Sequence, residues 1–189
     1  HGDAQARLER SAARRARVVG SLRARLDGFE GLLGSIDLDV AAEHPGRLSI
    51  AVRSFFEQPM QMLVVDDDVV TIYDATRPGA AFTRGPAGPA SLLSVLPVSV
   101  PPSLIVHMLL SRPPHGRMRL RSVDERQGNY DVAIEPGGDA PSLLTLRASD
   151  DAILRWRAFR PDGRPVLSVD FDDIRDVGGV PFAHRFTLR

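Results

Sequence analysis

The chain has 189 residues, enough to bury one sizeable core. Hydrophobic residues make up 43% and charged residues 25%; the 24 acids balance the 24 bases, which argues against a nucleic-acid binder with its basic excess. Cysteine is absent, which excludes disulfides, thiolate catalysis and cysteine-ligated metal. Every base is arginine, a bias that a GC-rich genome suffices to explain. The sequence begins His-Gly-Asp without methionine, as expected of a segment whose signal peptide or lipidated N-terminal cysteine has been removed.

From Asp3 to Leu26, Leu8, Ala12, Ala16, Val19, Leu22 and Leu26 recur every three or four positions, which predicts one helix capped by Asp3 and stopped at Gly28. Arg7, Arg10, Arg14 and Arg17 form a basic stripe on it, read either as a solvated face or as a contact for anionic headgroups. The period then changes to two. Ile36, Leu38 and Val40 alternate with acids, and Leu48, Ile50 and Val52 follow the His44-Pro45-Gly46 turn, so each strand buries one face. Phe55 and Phe56 are adjacent and point to opposite faces of an extended chain; a bulge re-aims one of them, or one protrudes as an apolar contact. Asp66-Asp67-Asp68 lacks the spacing of a calcium loop and reads as a hairpin turn before Val69–Tyr73. Thr76 to Pro89, rich in glycine and proline, is expected to be a loop or flap.

The stretch from Pro89 to Pro114 is the most apolar of the chain, but prolines 97, 101 and 102 interrupt it. It is too broken for a spanning helix, which needs roughly 20 uninterrupted apolar residues. It predicts two short helices, Ala90 to Leu96 and Ser103 to Leu110, the second apolar all round and therefore covered. Beyond it the alternation resumes through Met118 and Leu120, Tyr130 to Ile134, Leu144 and Leu146, Leu154 to Ala158, Leu167 to Phe171 and Phe182 to Leu188, with turns at Pro161-Asp162-Gly163 and Val177 to Pro181.

Ten or eleven half-buried antiparallel strands with few helices predict an α+β, mainly β, single domain over residues 1–189. The expected form is an incomplete, half-open barrel with the short helices plugging its concave face. Leu92, Leu93, Leu96, Leu104, Ile105, Met108 and Leu109 are the expected lid and lining, joined by Met60, Met62, Trp156 and Phe186 from the sheet. His184 is the one polar candidate among the predicted inward residues, expected as a hydrogen-bonded core group. No nucleophile elbow, HExxH or ordered Ser, His and acid set is present, and Asp170, Asp172, Asp173 and Asp176 do not share one strand face. The reading is non-enzymatic, without cofactor or metal.

Leu92-Leu93-Ser94-Val95-Leu96-Pro97-Val98, followed by Leu109-Leu110-Ser111-Arg112-Pro113, resembles a passage of the LolA/LolB superfamily of periplasmic lipoprotein carriers and receptors, with Ser111 where the receptor branch has glycine. The ending from Asp170 to Leu188 resembles the family's final hairpin. The resemblance spans nearly the whole chain, and its motifs are structural. It implies a lidded cavity for acyl chains, a monomer in the periplasm or at the inner leaflet of the outer membrane of a Gram-negative bacterium, and a lipid anchor removed from this segment. It implies an acylated lipoprotein or lipid as ligand, a periplasmic carrier protein as donor, and the membrane surface as a further partner; no nucleic acid is expected. Phe55 and Phe56 fall near the position of the receptor's protruding apolar residue. An alternative keeps the fold and closes the core, giving an envelope interaction or sensor module that binds a protein.

Overall fold

A computed structural model describes the chain except for residues 1–5, 7, 9, 11, 27–33, 55–57, 80, 97–98, 115, 125, 137–140 and 189, and gives the backbone alone at 24–26, 34–35 and 136. Asp3, Arg7, Gly28, Phe55 and Phe56 thus lie outside the described residues or their described side chains. The chain divides into two compact units, Arg17–Leu109 and the combination of His1–Ala16 with Leu110–Arg189.

The first unit holds a six-stranded antiparallel meander: β1 (Arg17–Leu26), β2 (Gly34–Glu43), β3 (Arg47–Arg53), β4 (Pro59–Asp66), β5 (Val69–Asp74) and β6 (Ala81–Pro86). Two of these strands correct the expectations. The predicted N-terminal helix is helical at described positions 6, 8, 10 and 12–14 (α1), and from Arg17 the chain is β1. The adjacent β-branched pair Val18-Val19 suits a strand, and Leu22 and Leu26, four apart, fit the period of either element. Pairing with β2 settles the matter through Ser21 Oγ donating to Asp39 (2.7 Å) and Arg23 Nε to Asp37 (2.7 Å). The predicted flap contains β6, which pairs along β5 from Asp74↔Ala81 to Val69↔Pro86. As an edge strand it tolerates its proline. With β1 and β6 the described strands number twelve.

Register and burial place Leu38, Val40 and Ala42 of β2, Leu48 and Ile50 of β3, Leu63 and Val65 of β4, and Val70 of β5 on one buried face. A 3-10 helix, Pro89–Ser94, and α2, Pro102–Leu109, belong to the same unit. Pro102 stands in the first turn of α2, where its missing N–H costs nothing. Leu104, Ile105, Val106, Met108 and Leu109 are all buried, as an all-round apolar helix requires, and α2 packs against β2, β3 and the 3-10 helix. The Asp66 to Asp68 segment is the β4–β5 hairpin turn, with Asp67 at φ 53° in the left-handed region that aspartate tolerates.

The second unit holds the other meander: β7 (Gly116–Asp124), β8 (Asn129–Pro136), β9 (Ser142–Arg147), β10 (Ile153–Phe159), β11 (Pro165–Asp176) and β12 (Pro181–Leu188). Val132 and Ile134, Leu144 and Leu146, Trp156 and Ala158, and Leu167, Val169 and Phe171 form its buried face. Trp156 is fully buried, and its indole N–H donates to Ser142 Oγ at 3.0 Å; Tyr130 donates its hydroxyl proton to Asp151 at 2.5 Å. Gly116, at φ 154°, opens β7 where no other residue fits, because a Cβ would collide with the Glu135 carbonyl.

Candidate apolar binding faces

Each sheet exposes apolar residues, but on different faces. In the first unit Val64 and Met60 of β4 and Phe82 of β6 are exposed, with Phe82 75% accessible. By strand alternation they lie on the face opposite Leu63 and Val65. Met62, Tyr73 and Phe82 are successive cross-strand partners there, and the Tyr73 and Phe82 rings lie 4.9 Å apart. Elsewhere on that outer face Val19 of β1 is exposed, and ion pairs join Arg23 with Asp37 (2.7 Å), Arg53 with Asp39 (2.9 Å) and Arg47 with Asp66 (3.0 Å). A groove of about 460 Å³ runs beside Arg17, Glu43, Arg47, Val64 and Asp66, and its charges are largely compensated among themselves.

In the second unit the exposed apolar residues of β7 continue the buried face itself. Met118 pairs with Ile134, Leu120 with Val132 and Val123 with Tyr130, and these partners on β8 are buried. Yet Leu120 is 44% and Val123 59% accessible. The core face of this sheet therefore runs out, uncovered within its own unit, onto the edge strand β7. A bulge between Leu120 and Ser122 makes this possible: it inserts Arg121 as an unpaired residue and returns Val123 to the side of Leu120.

The expected lining residues distribute as follows. Leu92 is fully buried in the 3-10 helix, Leu93 is 55% accessible and Leu96 half-buried. Leu104, Ile105, Met108 and Leu109 are buried in α2. Trp156 is buried in β10, and Phe186 on β12 is half-buried against Phe171, ring centroids 5.6 Å apart. Met60 and Met62 sit on the outer face of β4, so the structure does not bring them to the side of Leu63 and Val65. The arginine stripe does not stay on one helix. Arg10 and Arg14 are exposed on α1, whereas Arg17 opens β1.

Polar groups that periodicity missed lie within each unit. Arg15 is buried and donates through Nη1 to the Ser111 carbonyl, while Arg112 Nη1 donates to the Arg15 carbonyl at 3.3 Å. Burial first, and the neighbouring Arg112 charge second, bring the Arg15 guanidinium down to about 10. Ser111 has φ 47°, a left-handed conformation that favours glycine, which accounts physically for a glycine at that place in the motif. In the first unit His107 of α2 is buried, with its ring 5.6 Å from that of His44. His184, expected inward, is exposed beside Phe182. Among the described residues no three His, Asp or Glu side chains come together as a metal site, and no helix is long and apolar enough to cross a membrane.

No protein-family model matches the sequence, and no curated relative does. Solved structures match the fold over nearly its whole length. A LolA superfamily protein from Nitrosomonas europaea superposes with a TM-score of 0.64 at 14% identity, covering 98% of this chain and 84% of that one. A DUF1329 family protein from Desulfovibrio piger gives 0.62 at 13% identity, covering 98% and 85%. An outer membrane lipoprotein-sorting protein domain from Vibrio parahaemolyticus gives 0.58 at 10% identity, covering 98% and 85%. At these identities the likeness is one of fold, and it agrees with the LolA/LolB-like resemblance read from the motifs.

Proposed function

We propose that this chain, which shares the fold of LolA superfamily and lipoprotein-sorting proteins, binds acyl chains for lipoprotein or lipid transport in the bacterial envelope, without catalysis and as a monomer. The observation that carries the reading is the core face of the second sheet, left open at Leu120 and Val123. Each methylene withdrawn from water contributes about 0.8 kcal/mol, so one long acyl chain brings on the order of 10 kcal/mol to an apolar surface that receives it. Leu, Val and Ile side chains supply that surface, and Met108 adapts to chains of different shape.

Leu92, Leu93, Leu96, Leu104, Ile105, Met108 and Leu109 in the first unit, and Trp156 and Phe186 in the second, are the proposed acyl contacts. Most of them are buried as described, so a chain reaches them only when their cover moves. The single domain over residues 1–189, the half-open barrel and the plugging role of the helices belong to this proposal. So do the periplasmic or outer-membrane location, headgroup contact by Arg7, Arg10, Arg14 and Arg17, apolar contact through Phe55 and Phe56, and delivery by a carrier protein.

Native mass spectrometry of protein purified gently from a membrane-containing host tests it, paired with displacement of an apolar fluorescent probe. A bound lipid, and displacement by acylated but not unacylated peptide, are the expected results. An apo mass without probe uptake would sink the acyl-binding reading. It would favour the protein-binding module, for which the outer-face cluster of Met60, Val64 and Phe82 is the supporting observation.

A further inference from the structure

The open margin of the second sheet carries charge as well as apolar surface. Along β7 and β8 each described carboxylate is already engaged. Glu135 takes Arg119 at 3.0 Å, Asp131 accepts from Ser122 (3.0 Å) and Thr145 (2.7 Å), and Asp124 accepts the backbone N–H groups of Arg126 and Gln127, both at 3.1 Å. Arg121 is exposed, stands at the bulge between Leu120 and Val123, and is engaged by none of these carboxylates.

Charges on an edge strand commonly guard it against pairing with another strand. Arg117 and Arg119, alternating with the apolar residues, meet that need. Leaving Leu120 and Val123 bare on either side of Arg121 does the opposite of guarding, since it combines an apolar strip with a guanidinium that makes no ion pair among the described residues. One ligand chemistry satisfies both, an amphiphile whose chain covers Leu120 and Val123 and whose anionic group meets the guanidinium.

We propose that the β7 margin reads the head group of the acyl ligand, and that this protein selects anionic amphiphiles, carboxylate or phosphate, through Arg121. This rests on the acyl-binding reading above and deepens it, because that reading is silent on the head group.

Chain-matched detergents below their micelle concentrations test it: dodecyl phosphate, dodecyl maltoside and dodecyltrimethylammonium, each displacing an apolar fluorescent probe from the full chain. Dodecyl phosphate is expected to bind about tenfold more tightly than the neutral detergent, the scale of one charge-assisted hydrogen bond. Arg121→Gln should abolish that preference and leave dodecyl maltoside unchanged, and Arg121→Lys should restore part of it. Val123→Ser should weaken all three, whereas Phe82→Ser, on the other sheet's outer face, should change none. Failure of inorganic phosphate to compete at millimolar concentration would assign the recognition to the head group of an amphiphile, whereas competition would mark a free-phosphate site and overturn the proposal. Equal binding of the three detergents, unaffected by Arg121→Gln, would overturn the head-group assignment and leave acyl binding standing. Binding of none would overturn both. A dimer in sedimentation velocity that Val123→Arg dissociates would also overturn the proposal, by giving the β7 edge to strand pairing.

Discussion

The two sheets are built alike and finished differently. Both are six-stranded antiparallel meanders with one face of branched aliphatics. In the first, α2 packs against β2 and β3 within the same unit, and the large exposed apolar residues of β4 and β6 stand on the outer face. In the second, the exposed residues Leu120 and Val123 extend the core face itself. An exposed side chain therefore carries opposite meanings in the two units. Phe82 ends a lattice of surface pairs, whereas Val123 is the visible margin of an interior.

The largest test of this contrast is Trp156→Ala. Trp156 anchors the second sheet's face and donates to Ser142, so truncation removes a fully buried ring together with the hydrogen bond it donates. It should cost about 3–5 kcal/mol in urea unfolding, against under about 0.5 kcal/mol for Phe82→Ala. Comparable costs for both would mean that Phe82 is not the surface residue its exposure indicates.

Next in size is Gly116→Ala. The added Cβ meets the Glu135 carbonyl and the Ile134 side chain, so β7 must shift or its first residue must strain. A loss of about 1–3 kcal/mol is expected. Faster amide exchange confined to Arg117–Leu120 and its partners on β8 would locate the damage, and an unchanged protection pattern would show that Gly116 does not position the edge.

How much of this contrast was legible in the sequence depended on whether one period admitted one answer. The 102–109 helix was legible, because a double proline followed by all-round apolar residues can only start there and be covered. Residues 17–26 were not, since Leu22 and Leu26 satisfy the helical and the strand period alike and the partner strand decided. Met60 and Met62 were misplaced because β4 is apolar on both alternations, Met60, Met62 and Val64 against Leu63 and Val65, so periodicity could not choose the inner face. The open margin on β7 had a faint signal in the two polar residues, Arg121 and Ser122, that separate Leu120 from Val123 where strict alternation allows one. The bonds from Trp156 to Ser142 and from Tyr130 to Asp151 join distant residues and leave no local trace.

A smaller thermodynamic effect distinguishes the exposed residues themselves. Val123→Ser and Phe82→Ser should each alter stability by no more than about 0.5 kcal/mol, because each side chain is already largely in water. Their effects on apolar-probe affinity should separate, with a severalfold loss for Val123→Ser and none for Phe82→Ser. Equal effects would erase the distinction between margin and surface.

The smallest expected effect concerns acid. Asp150, in the turn after β9, accepts two hydrogen bonds from Arg147, at 2.7 and 2.9 Å, and these hold its carboxyl below the usual range. A carboxylate with a folded pKa below its unfolded value of about 3.9 contributes stability that is fully present above that value. As pH falls through the lowered folded value, the unfolded chain takes up the proton first and the contribution disappears. Both side chains are more than a third exposed, so solvent screening limits the pair to about 0.3 kcal/mol. Asp150→Asn should therefore lower the melting temperature slightly at pH 7 and flatten its decline below about pH 4. In the first unit Asp37 is likewise lowered, chiefly by its hydrogen bond from Arg23, but it lies on the open outer lattice. Asp37→Asn should flatten the acid limb less than Asp150→Asn. A reversal of that order in melting curves from pH 2 to 7 would show that the outer face of the first sheet is less solvated than the turn after β9.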